Sequence, residues 1–195
     1  MVYLQLVKSF FVWLVFVVCE VVLSLLAYPL SPIISFCSLV FPETKYPKLY
    51  SFWFWIWLTH DNTMDGDEGH IKRWPLCDNW IITFLRRTAW MWRNKAYNAS
   101  YWWFGRVITG KLHQKGNHCV GNRPLVRGWS FEYDDKGTWE FYVVQPVSFS
   151  KKKAFRIRLG WKIPDYHDKP IEGVRVMHVF TGSPWMSYED TTGKF

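Results

Sequence analysis

The sequence predicts an α+β protein, with an N-terminal transmembrane or re-entrant helix followed by a small domain of helix plus antiparallel sheet. Three patterns predict it. Ser9 to Leu30 forms a 22-residue apolar run with a single charge, Glu20, and at ~1.5 Å per residue it can cross a hydrocarbon core of ~30 Å. Between residues 79 and 97 the apolar positions recur every three or four residues, as on one face of a helix. From Trp129 onward they alternate around turn-forming residues, as in strands. A chain of 195 residues that is 49% hydrophobic and 20% aromatic has room for one domain and an anchor. A disordered tail is excluded. The expected divisions are a membrane anchor at 1–41, an aromatic belt and acidic loop at 42–75, and a basic α+β domain at 76–195.

The anchor differs from a cleaved signal peptide because its apolar character continues to Phe41 and no small-x-small cleavage site interrupts it. Pro29 and Pro32 are expected to break the helix, since each lacks an amide and crowds the preceding turn. Ile33 to Phe41 is then too short to span alone, which leaves a single span with an interfacial piece or a re-entrant hairpin. Glu20 is costly in lipid as an ionised group, so it is expected to contact a partner helix or a second copy, or to be carried neutral. Tyr50 to Leu58 contains three tryptophans in nine residues. Such a run suits the headgroup zone, where an indole is apolar on one side and donates a hydrogen bond on the other; burial under the domain is the alternative.

Charge is unevenly distributed: residues 1–41 are neutral, 42–75 carry −1 and 76–195 carry +9. Lys45 and Lys48 outweigh Lys8 beside the span, which favours a cytoplasmic C-terminal domain, and a basic domain suits an anionic leaflet.

Asp61 to His70 packs four carboxylates into ten residues. The preferred reading is a turn whose glycines supply positive φ and whose carboxylates pair with Arg86, Arg87 or Arg93. A divalent cation held by Asp61, Asp65, Asp67, Glu68 and His70 is the alternative, with an Asp65–Glu68 acid/base pair a third. The calcium-loop pattern fails, because its twelfth position is Lys72 instead of a bidentate Glu. Beyond Pro75, Asp78 is placed to cap a helix carrying Arg86, Arg87, Arg93 and Lys95 among Trp90 and Trp92. Such a helix packs in the core with its arginines turned to the acidic loop, lies on a membrane, or holds a nucleic acid by phosphate contact and stacking.

The strands follow. Trp129–Tyr133 and Thr138–Val144 flank an Asp-Asp-Lys-Gly turn, Ala154–Ile163 adds a third strand and Val174–Thr181 a fourth. In the third, Phe155, Ile157, Leu159 and Trp161 share the packed face. Arg156, Arg158 and Lys162 share the other, which with Lys152 is expected to be solvated or to meet phosphates of lipid or nucleic acid. Four cysteines, Cys19, Cys37, Cys77 and Cys119, show no paired spacing, and His113, His118 and Cys119 read as polar loop residues more readily than as zinc ligands. No nucleophile elbow, P-loop, dinucleotide fingerprint or zincin motif occurs.

Three stretches stand in a distinctive order: D-N-x-x-D-G-D-x-G at 61–69, R-x-x-W-x-W-R-N-x-x-Y from Arg87 to Tyr97, and W-E-F-Y with R-I-R-L-G-W-K-I toward the C-terminus. Over residues 50–180 they resemble an uncharacterised family of small membrane-associated proteins encoded by tailed bacteriophages. The resemblance implies a phage protein at the host inner membrane and carries over no catalytic residue. The leading expectation is a non-enzymatic membrane protein that binds membrane lipids, a host or phage protein, or a second copy of itself through the anchor. Its rivals are a membrane-bound metal-dependent hydrolase using the acidic loop and a membrane-tethered nucleic-acid binder using Arg86, Arg87, Arg93, Arg156 and Arg158.

Overall fold

The computed structural model describes residues 2–117, 127–147, 152–164 and 172–187. The chain is α+β: among the described residues a long N-terminal helix, α1 (Val2–Val40), precedes two short helices, α2 (Glu68–Arg73) and α3 (Trp80–Arg93), and seven strands. Packing divides it into two compact units, residues 1–17 with 104–195, and residues 18–103.

α1 is continuous over 39 residues and contains both prolines. The expected break does not occur. Pro32 has no amide to offer the Tyr28 carbonyl four residues back, but that oxygen accepts a 3.1 Å hydrogen bond from the Trp92 indole of α3. Ser31 Oγ donates to the Ala27 carbonyl at 2.5 Å in the same turn. The neighbouring helix thus supplies the donor that Pro32 lacks, one of the ways prolines persist in apolar helices.

In the 18–103 unit, α1 leads through Pro42 into a π-helical turn, Leu49–Phe54, and a tighter 3-10 turn, Trp55–Trp57. The aromatic run divides: Tyr50 is buried, with its hydroxyl on the Phe41 carbonyl at 2.6 Å, while Phe52 and Trp53 are exposed. α3 is capped one residue later than expected, by Asn79 instead of Asp78. Asn79 Oδ1 accepts from the amides of Ile81 at 2.9 Å and Ile82 at 3.3 Å, satisfying two orphan donors of the first turn.

The other unit is built on a five-stranded antiparallel sheet in the order β2-β3-β4-β5-β7. β3 (Gly128–Tyr133) and β4 (Trp139–Pro146) form the expected hairpin. Asp134 builds its turn, with Oδ1 accepting from the amides of Lys136 and Thr138. β2 (His113–Gly116) flanks β3, and β5 (Lys153–Trp161) lies between β4 and β7. The expected fourth strand splits in two: β6 (Arg175–Val176) pairs with β1 (Arg106–Val107) in a separate ribbon, and β7 (His178–Ser187) runs along β5. Gly160 has φ +106, and a Cβ there would stand 2.2 Å from the Trp139 carbonyl, so only glycine allows β4 and β5 to approach so closely.

Register aligns Tyr133, Trp139, Trp161 and His178 in one row across the sheet. The N-terminal part of α1 covers this row: Trp13 meets the Trp139 ring at 5.3 Å and its Nε1 donates to the Val179 carbonyl at 3.2 Å. With Ile108, Ile163 and Val176 these side chains form the core.

Candidate functional site

α1 has an inverted burial pattern. From residue 18 onward its buried side chains are Ala27, Ser31, Ile34, Ser35 and Ser38, which recur at three- and four-residue spacing on one face. Val18, Val22, Leu25, Leu26, Ile33, Phe36 and Val40 are exposed, Leu25 at 63% while Ser31 is at 0%. A helix of a water-soluble fold turns its valines and leucines inward and its serines out. Small residues toward protein and large apolar ones outward is the arrangement a bilayer favours, because lipid tails solvate apolar side chains and small residues let partners approach. The mean hydropathy of the most apolar 18-residue window is 2.7, and 11% of that window is buried. Among the described residues one helix, α1, is therefore long and apolar enough to cross a membrane. Glu20 lies half-buried on it.

The acidic loop folds as a turn whose three aspartates have separate partners. Asp65 Oδ1 accepts from Arg86 Nη2 at 2.6 Å and from Arg87 Nε at 3.0 Å. Arg87 Nη1 continues to Ser38 Oγ of α1 at 2.8 Å, and Arg86, 2% exposed, also donates to the Pro75 carbonyl. Asp67 Oδ1 caps α2 by accepting the His70 amide, while its Oδ2 stands 3.5 Å from Arg93. Asp61 accepts the Tyr97 hydroxyl at 3.0 Å. Glu68 is exposed in the first turn of α2, where a negative charge suits the helix dipole. His70 is buried, with Nε2 2.9 Å from the Arg86 carbonyl and its ring beside Trp90. Among the described residues no three His, Cys, Asp or Glu side chains are grouped to hold a metal ion.

Burial alone would raise the Asp65 carboxyl, but hydrogen bonds and charge from Arg87 and Arg86 outweigh it and hold the group below its ordinary value. The stability this pair contributes is therefore present above the ordinary carboxylate range and is lost as pH falls through the lowered value. Asp65→Asn keeps the shape and one acceptor but leaves two guanidiniums without their counter-charge. We expect it to cost about 1–3 kcal/mol in thermal unfolding of the detergent-solubilised protein. Millimolar magnesium, manganese or calcium should leave the wild-type midpoint where it is; a rise that Asp65→Asn abolishes would restore the metal reading.

The basic strand residues separate. Arg156 is half-buried, while Lys152 and Lys162 are exposed. Arg158, expected on an open face, is 8% exposed and bonds both oxygens of Glu140 on β4, with Nη2 also reaching the Ile163 carbonyl at 3.1 Å. Arg158 is thus buried and paired with Glu140, where an open basic face was expected. His113 pairs with Asp135 at 2.9 Å, and Cys77 is an exposed free thiol. His118, Cys119 and Lys151 lie outside the described residues.

Glu140 and the serine face of α1 escaped the sequence reading, although both had a signal. Register-two counting puts Glu132, Glu140 and Arg158 on one face, and the spacing of residues 27, 31, 35 and 38 marks a helix stripe.

No curated protein and no solved structure matches this chain. One family model does, over residues 5–190. The match takes in α1, the acidic loop, α3 and the whole described sheet, and the chain belongs to this family, DUF7338, a family of unknown function.

Proposed function

We propose that the chain is a non-enzymatic phage protein that works at the host inner membrane, with α1 in lipid and the sheet unit on the cytoplasmic side, where it binds a host or phage partner or the membrane surface. The observation that carries this reading is the inverted α1, which exposes valine, leucine and phenylalanine and buries alanine and serine. In water such a surface would aggregate; in a bilayer it is solvated. The net charge of +8 is suited to an anionic leaflet. The resemblance to tailed-phage proteins supports the source and, with it, the bacterial inner membrane. The acidic loop favours no hydrolase, since Asp65 is engaged in ion pairs, Asp67 in a helix cap and Asp61 by the Tyr97 hydroxyl. Arg86, Arg87 and Arg158 are likewise held by Asp65 and Glu140 and favour no nucleic-acid groove.

The expected result is that the full chain, expressed in bacteria, sediments with membranes and leaves them only in detergent. Recovery of the intact chain as a detergent-free monomer in the soluble fraction would remove α1 from the membrane and end this reading.

A further inference from the structure

We infer that the groove between the start of α1 and the sheet binds one acyl chain of an anionic phospholipid, with Lys115 at the headgroup end. The inference deepens the membrane reading, on which it rests for its ligand, and every residue that forms the site belongs to the unit of residues 1–17 and 104–195.

Register builds the floor of the groove. Lys115 of β2 stands opposite Phe131, Phe131 opposite Phe141, Phe141 opposite Leu159 and Leu159 opposite Phe180, so the five side chains form one row on one face of the sheet. This row lies beside the one that α1 covers. At ~4.8 Å between neighbouring strands, Phe131 to Phe180 measures about 14 Å. α1 runs along the row: Tyr3 meets Lys115 at one end, with Nζ 5.9 Å over the ring, and Trp13 meets Phe180 at the other, edge to face at 6.0 Å. The ten residues of helix between those contacts measure ~15 Å, in agreement with the row. Val7, Phe10 and Phe11 make the wall.

Three properties select the ligand. Among the described residues the lining is aliphatic and aromatic, so it offers little to the amides and carbonyls of a peptide, whereas hydrocarbon asks for no hydrogen bond. The length is that of a lipid tail, because each leaflet supplies half of a hydrocarbon core of ~30 Å, about 15 Å. The volume, about 530 Å³, suits a single small molecule and is about half of what a helix ~10 Å wide fills over that length, too little for a helical segment of a second copy or a partner.

The two ends differ in charge. Apolar rings, Trp13 and Phe180, stand at one, while Lys115 on the edge strand is exposed at the other. An acyl chain with an anionic head fits that polarity in one direction only. Beside the groove, Phe11 and Val15 are 62% and 60% exposed, on the surface of α1 that the membrane reading gives to lipid.

The test uses the full chain in phosphatidylcholine vesicles doped with phosphatidylglycerol or phosphatidylcholine that carries a diazirine at the end of one acyl chain. After illumination, adducts are located by peptide mass spectrometry. They should concentrate at Leu159 and Phe180, above their level along residues 18–26, and a diazirine placed beside the ester should move them to Tyr3 and Phe131. Phosphatidylglycerol should outlabel phosphatidylcholine about fivefold, the worth of one lysine near an anionic surface. Lys115→Gln should abolish that preference and Lys115→Arg should keep it. Val7→Trp, at a position 54% exposed where folding is not at stake, should block the groove to both lipids. Adducts along residues 18–26 with no excess in the groove and no response to Val7→Trp overturn the site and keep the membrane reading. Absence of adducts throughout overturns both. Groove adducts that are equal for the two lipids overturn the anionic headgroup and the role of Lys115. A dimer of the chain that Val7→Trp breaks, with no lipid adduct in the groove, puts a second copy there and overturns the proposal.

Discussion

Arg158→Ala should destabilise the protein by about 3–5 kcal/mol at pH 8, the cost of leaving a buried charge without its partner. Glu140 is itself buried, and its Oε2, which accepts from Arg158 Nη2, also accepts the Ile163 amide at 2.6 Å. Register sets Glu132 directly across from Glu140, so a second buried carboxylate adjoins the one that Arg158 pairs with. Arg158 also lies 5.3 Å over the Tyr142 ring, and truncation removes that packing as well. Burial pushes the Glu140 carboxyl up to about 7, against the pull of Arg158 and with a further push from Glu132. The folded protein thus keeps a proton that the unfolded chain releases near its ordinary value of 4.5. Stability from this group is largest below that value, falls as pH rises toward 7 and is flat above. Without Arg158 the carboxyl is driven higher still, and protonation relieves part of the loss in acid. The variant should therefore be more damaged at pH 8 than at pH 5, measured as the shift in unfolding midpoint in detergent at the two values. An Arg158→Ala protein that unfolds with wild type at pH 8 would show that the pair is solvated.

The same residue shows where sequence reading stops. Alternation along β5 correctly puts Arg158 opposite Leu159 and Trp161, because a strand turns successive side chains to opposite faces. It does not say which faces are covered. Phe155, on the supposed packed face, is exposed, while Arg158 on the supposed open face is buried. The difference comes from Glu140, 18 residues away across the β4–β5 ladder, and from Ile163 beyond the strand end. The prolines of α1 teach a similar lesson. Local chemistry predicts a break at Pro32, and the donor that prevents it, Trp92, is 64 residues distant. Features carried by neighbours in sequence were legible: the apolar run, the β3–β4 hairpin with its Asp134 turn, and the acidic loop with arginines one helix away. The burial of Ser31, Ser35 and Ser38 was legible only as a spacing, since its meaning depends on what solvates the valines opposite.

Trp161→Ala should cost about 3–5 kcal/mol, the range for deleting a buried aromatic whose surroundings cannot close. Trp161 is fully buried. Its indole Nε1 donates to the Phe104 carbonyl at 2.8 Å, and the Arg106 guanidinium lies 4.1 Å over its ring. Truncation leaves a cavity against Trp139, Ile163 and Val176, a buried carbonyl without its donor, and a cation without its π face. Relaxation is limited because Gly160 beside it already holds the Trp139 carbonyl at closest approach. Trp161→Phe keeps most of the ring volume and loses the hydrogen bond, so it should cost about 1–3 kcal/mol. Phe180→Ala, an exposed site in the neighbouring row, should stay within about 1 kcal/mol in detergent. The order Trp161→Ala, then Trp161→Phe, then Phe180→Ala is the check, read from unfolding midpoints under one detergent condition. The same core holds Trp13, so loosening it should also free the start of α1 from the sheet. Proteolysis would then cut the alanine variant before Val17 faster than it cuts wild type. If Trp161→Phe is as damaging as alanine, the Phe104 hydrogen bond outweighs the packed ring; if neither variant moves the midpoint, this row is not the core that joins α1 to the sheet.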